Sequence, residues 1–298
     1  MVSVVFALLT AVFNGMASVL QRRAAATAPA DKALHLSLLS YLVRHKVWLL
    51  GIVMTIGAAL CQAVALATGP VALVQPIFII ELPFTLLVAS QMAGRRLPRL
   101  TWGAVGLVTV SLGIGLAAAS PSGASDMASN SLWIRALIVT ALFEAVLLAI
   151  GIRATGNGRA AALGLAAACG YALTAALMKN AMAYLDQGIG QFFGCWQLYA
   201  TAVAGIFSLF ILQNSLQAGS LIATQPALTL GDALISVSYG VTIFGETLRT
   251  GPWLIIEIIA VLAIGFGCIE LSRSLGAIQH NKVTTSGNGK VIAAEGAM

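Results

Sequence analysis

The sequence predicts an all-α fold: a polytopic membrane helix bundle of about nine transmembrane helices with an inverted internal repeat. Three observations lead there. The 298 residues are 59% hydrophobic and 9% charged, with a mean hydropathy of +0.94, whereas soluble domains carry roughly 25% charged residues. Apolar runs of about 20 residues recur from end to end, each long enough to cross a hydrocarbon core of about 30 Å as a helix. Finally, Gly69–Glu81, GPVALVQPIFIIE, returns 150 positions later as Gly219–Asp232, GSLIATQPALTLGD. Gly69, Gln75 and Pro76 match Gly219, Gln225 and Pro226, and an acidic residue follows each proline.

Taken in order, the apolar runs predict spans at about 3–21, 47–68, 71–93, 100–119, 131–152, 160–183, 190–212, 217–243 and 252–272. Their continuity argues against a β-barrel, whose strands alternate apolar and polar residues. Between the first two spans, Leu34, Leu38, Leu39 and Leu42 fall at helical spacing. They predict a short amphipathic helix over about 32–45, lying at the membrane interface. Residues 120–130, SPSGASDMASN, form a polar loop, and 274–298 read as a disordered cytoplasmic tail.

Basic residues set the orientation. One side of the predicted bundle receives 13 of the 16 Lys and Arg residues, among them Arg22, Arg23, Arg95, Arg96, Arg153 and Arg159. The other receives Arg135, Lys179 and Arg249, of which Lys179 and Arg135 are expected to snorkel from outer helix ends. The basic side is cytoplasmic by this rule. The N-terminus is then outside and the C-terminus inside, in a multi-pass protein of the cell membrane.

The repeat extends beyond the Gln-Pro stretches. The first span aligns with the sixth, so that Asn14 meets Tyr171 and Arg22 meets Lys179. The third matches the eighth, and the fourth matches the ninth. Copies five spans apart enter the membrane from opposite sides, which makes the repeat inverted. The division is a first repeat over 1–152 and a second over 153–273. Near Glu246–Arg249 the second copy is expected to form an external loop.

With these motifs the chain resembles the drug/metabolite transporter superfamily, built from inverted five-helix repeats. It is most similar to the branch of NIPA-type magnesium transporters. Trp48 and Gly51 at the start of the second span and ALATGPVALVQP over 65–76 carry the likeness. That branch typically places a Gly-Glu pair in the second span, where this chain has Ala58-Ala59. The resemblance implies secondary transport of a small solute: a metabolite, an organic cation or a metal ion, magnesium being the named alternative. A hard divalent cation wants oxygen ligands, usually carboxylates, so the absent glutamate counts against magnesium.

Charged groups inside a bilayer are costly and need a reason. Glu81 and Asp232 are expected near the midplane, Glu144 at similar depth in the fifth span, and Glu257 nearer the outer face. Pro76 and Pro226 lack an N–H and deprive the carbonyls of Ala72 and Ile222 of their helical donor. They are the predicted helix breaks. Each acid competes with a packing role as a protonated group bonded to a neighbouring helix. The candidate substrate-binding set is Glu81, Asp232, Gln75, Gln225, Asn14, Tyr171 and Glu144.

The sequence holds no HExxH, GxSxG or Walker A pattern, and the expectation is a protein that is not an enzyme and uses no cofactor. Cys61, Cys169, Cys195 and Cys268 lie within apolar runs and read as packing residues. The expected partners are the lipid bilayer and a small-molecule or cation substrate. A homodimer is compatible with the pattern, nucleic acid is not, and a non-transporting membrane scaffold subunit is the remaining alternative.

Overall fold

The computed structural model describes residues 1–25, 45–92, 98–123, 127–218, 221–271 and 273. The predicted interfacial helix and the tail lie outside them. The described chain is helical, in the order α1 (Val2–Ala25), α2 (Lys46–Thr68), α3 (Val71–Ile77), α4 (Glu81–Met92), α5 (Arg99–Ala119), α6 (Asn130–Arg153), α7 (Gly156–Ala183), α8 (Ile189–Gly194), α9 (Trp196–Ala218), α10 (Leu221–Phe244) and α11 (Trp253–Leu271). Eight helical spans are long and apolar enough to cross a membrane, and a shorter apolar helix covers Trp196–Leu212. The protein is an all-α, multi-pass membrane protein.

The chain of the predicted third span tightens directly after its proline. Three residues of 3-10 helix, Phe78–Ile80, join α3 to α4, and Glu81 opens α4. Pro226 behaves differently. The sequence predicts a break there, but α10 runs through it uninterrupted from Leu221 to Phe244. A proline costs an interior helix one hydrogen bond and a clash with the carbonyl four residues back. Pro226 stands so close to the helix start that the carbonyl it deprives, that of Ile222, belongs to the first turn. The predicted span 190–212 is divided: α8 ends at Gly194, Cys195 is extended, and α9 starts at Trp196.

Helix α7 is the axis of the bundle. Its span is 67% buried, against 17% for α6. The reason is composition: alanine and glycine at Ala166, Ala167, Ala168, Gly170, Ala172, Ala175 and Ala176 let neighbouring backbones come close on several sides. At Gly170 a Cβ would collide with Ser208 of α9; at Gly164 it would sit 3.1 Å from the Thr224 carbonyl of α10. α7 packs chiefly on α9 and α10, and α1 packs chiefly on α2. Gly103, Gly106 and Gly113 of α5, expected to permit close helix approach, have no atom within 4 Å of a built Cβ; only Gly115 touches a neighbour, Ala260, at 3.1 Å. At one end of the bundle Ser122 pairs with Thr247 in an isolated antiparallel bridge. Near the opposite end the Ser215 hydroxyl donates to the Ala160 carbonyl at 2.6 Å.

Candidate functional site

Glu81, Asp232 and Tyr171 come from α4, α10 and α7, and lie within electrostatic reach of one another. Three local causes place them. The 3-10 turn after Pro76 fixes where Glu81 emerges. Gly231 lets α10 lie against Leu165 and Ala168 of α7, which brings Asp232 beside the turn of α7 that carries Tyr171. Ser236, one turn along α10, is fully buried and is the printed partner of the Asp232 carboxylate, at a long 3.5 Å. All three side chains are partly buried rather than sealed.

The remaining candidates surround this group unevenly. Asn14 of α1 is partly buried; its neighbour Gly15 abuts Phe84 and Thr85, one turn along α4 from Glu81. Gln75 is buried at 2% exposure, and its Nε2 has no hydrogen-bond partner among the described residues. The side chain of Gln225 lies outside the described residues. Glu144 belongs to a second group, with Cys169 and Tyr239. Tyr239 shares a short hydrogen bond with Thr140, and Glu144 Oε1 is buried without a partner among the described residues. Beside that group lies a cavity of about 360 Å³ between α6, α7 and α10, with Arg135, Phe143, Tyr239 and Thr242 in its wall. Among the described residues, no three His, Cys, Asp or Glu side chains converge on a point that could hold a metal ion.

The strongest polar centre is one the sequence reading missed. Lys179 is not a snorkelling residue at a helix end. It is 2% exposed and donates to Glu246 Oε1 at 3.1 Å and to the Gly69 carbonyl at 3.3 Å. Its ammonium also sits 4.9 Å from the centre of the Phe244 ring. Nor does Glu246 belong to an external loop. Its carboxylate accepts from the backbone N–H groups of Val71 at 2.6 Å and Ala72 at 2.7 Å. Those are the first amides of α3, which have no intrahelical acceptor and carry the positive end of the helix dipole. Gly245, at φ +64°, turns the chain back on itself after α10, and Gly240 has no Cβ to occupy the space the carboxylate fills. A second network lies one residue along α7: Asn180 Oδ1 accepts from Trp133 Nε1 at 2.8 Å and Gln197 Nε2 at 3.0 Å. The available signal was a lone lysine deep in an alanine-rich helix, with a Gly-Glu pair immediately after another helix.

No family model matches the chain, and no solved structure does. It is similar to an uncharacterized protein of Corynebacterium glutamicum, 27% identical over 276 residues, which span 92% of this chain and 96% of that one. The alignment covers nearly the whole of both proteins, and the relative's description assigns no activity.

Proposed function

We propose that the chain is a secondary transporter of the drug/metabolite transporter type, moving a small solute by alternating access between two inverted repeats. The reading rests on one observation above the rest: Glu81 of the first half, and Asp232 and Tyr171 of the second, meet within electrostatic reach inside the bundle. Carboxylates held at membrane depth and left partly open mark ion or substrate pathways in membrane proteins. Helix pairing lends support, since α1 on α2 and α7 on α9 are strong contacts at matching places in the halves. The asymmetric charge distribution supports an outside N-terminus and a cytoplasmic C-terminus. No catalytic pattern points elsewhere, so transport would draw on an ion gradient or the membrane potential.

The test is solute flux in proteoliposomes containing the wild type, Glu81→Gln or Asp232→Asn. Divalent-cation uptake would be followed in parallel with pH changes driven by a panel of cationic metabolites. Flux present in the wild type and abolished by either substitution is expected. Wild-type flux unchanged by both would remove Glu81 and Asp232 from the pathway. Magnesium flux abolished by either would assign the divalent cation as substrate, and silence throughout would favour a scaffold.

A further inference from the structure

A separate cavity of about 130 Å³ lies where the two halves meet, walled by α3, α5, α10 and α11. Its wall is apolar, with Leu112, Leu116, Leu230, Val237 and Ile264 among its residues, and it contains one charged side chain, Glu257. Glu257 Oε1 is buried and has no hydrogen-bond partner among the described residues. Ala72 and Pro76 line the same space. Because Pro76 has no N–H, the carbonyl of Ala72 lacks the donor that a helix would supply. Counted from the outer ends of their helices, Pro76 and Glu257 are each about one and a half turns in, at about 1.5 Å per residue. The wall therefore contains two acceptor-bearing residues short of donors, at one depth, and otherwise hydrocarbon.

Such a wall is complementary to a compact cation that brings its own N–H donors and small apolar substituents. An unpartnered carboxylate in an apolar space is costly, and a charge-assisted hydrogen bond to an ammonium removes that cost. We infer that this cavity is a binding site for a small alkylammonium cation, with Glu257 as its counter-ion and the Ala72 carbonyl as its second acceptor. The inference deepens the transport reading by giving the substrate a chemical class. It places the binding step on the outer side of Glu81 and Asp232, between helices of opposite halves.

The experiment is equilibrium binding of radiolabelled ethylammonium to the purified full-length protein in detergent. Unlabelled methylammonium and, as a neutral control, ethanol serve as competitors. The wild type should bind saturably, methylammonium should compete, and ethanol should not. Glu257→Gln keeps the shape and removes the charge, and should weaken binding by at least about tenfold. Ala119→Leu, which extends a side chain from the cavity wall, should weaken it as well. Asp232→Asn should leave binding within about twofold, because Asp232 is not in this wall. Thermal melting of each variant separates loss of the site from loss of the fold. No saturable binding by a folded wild type would overturn the inference. So would binding that survives Glu257→Gln but is lost in Asp232→Asn, which would return the ligand to the midplane. Flux of a non-cationic solute that depends on Glu81, without ethylammonium binding, would overturn this site and leave the transport reading standing.

Discussion

Replacing Glu246 by alanine should destabilise the protein far more than replacing its partner Lys179 by methionine. Glu246→Ala strands a buried ammonium whose remaining neighbours are the Gly69 carbonyl at 3.3 Å and the Phe244 ring. It also orphans the amides of Val71 and Ala72. Breaking a buried pair by removing one partner costs about 3–5 kcal/mol, and Glu246→Ala belongs at the upper end of that range. Lys179→Met leaves the carboxylate with both amides and the helix dipole, and methionine fills most of the lysine stem. Its cost should stay near the net value of a charged hydrogen bond, about 1–3 kcal/mol. The double variant should fall short of the sum of the singles by about 1–3 kcal/mol, as expected for contacting groups. An SDS titration of the purified protein in mixed micelles, followed by tryptophan fluorescence, reads all four corners of the cycle. Lys179→Met costing as much as Glu246→Ala, or strict additivity, would refute the account of Glu246 as a cap that the lysine reinforces.

Three further outcomes follow from the same geometry. Gly240→Ala places a methyl against Glu246 Oε2 and 3.2 Å from the Ala72 nitrogen; it should approach Glu246→Ala in the same titration, and a wild-type midpoint would contradict the packing described. Asn180→Leu should cost about 1–3 kcal/mol for each of the two donors it leaves without an acceptor, whereas Asn180→Asp, which keeps the acceptor, should cost less; equal losses would disprove the network's role. In a chain with its four cysteines replaced, Ser122→Cys should react with a membrane-impermeant maleimide added outside intact cells, and Thr155→Cys only after lysis. The opposite pattern would invert the proposed orientation.

The helices were legible because hydrocarbon imposes one requirement on every span, enough consecutive apolar residues, and that requirement is written locally. Pro76 was legible for the same reason: a missing N–H is a covalent fact, and the 3-10 turn follows it directly. The i,i+3 pair of Glu270 and Arg273 also forms as its spacing predicts, at 3.2 Å. Pro226 has the same covalent chemistry, but its place near the start of α10 removes the consequence, and helix starts are poorly marked in apolar sequence. Lys179 and Glu246 were misread because each looked ordinary beside its own neighbours. Their meaning lies in partners 67 residues apart, and in amides 175 and 174 residues from Glu246. Of the proposed midplane group, residue type and depth could be read from the chain. Which of Glu81, Asp232, Glu144 and Tyr171 would face one another depends on how α7 packs, and alanine-rich helices carry little sequence signal about the direction of their faces.

The cap on α3 also bears on how the protein is made. Val71 and Ala72 leave the ribosome long before Glu246, and Lys179 enters the bilayer while its counter-ion is still untranslated. Until the turn after α10 is synthesised, the nascent chain holds an unneutralised cation in α7 and an uncapped helix in its first half. A product truncated just before residue 246 would retain most of the apolar spans and still lack the group that satisfies both. The last stage of synthesis therefore completes a structure begun near residue 70, and membrane proteases that read exposed charge within the bilayer would have a physical basis for telling an unfinished chain from a finished one.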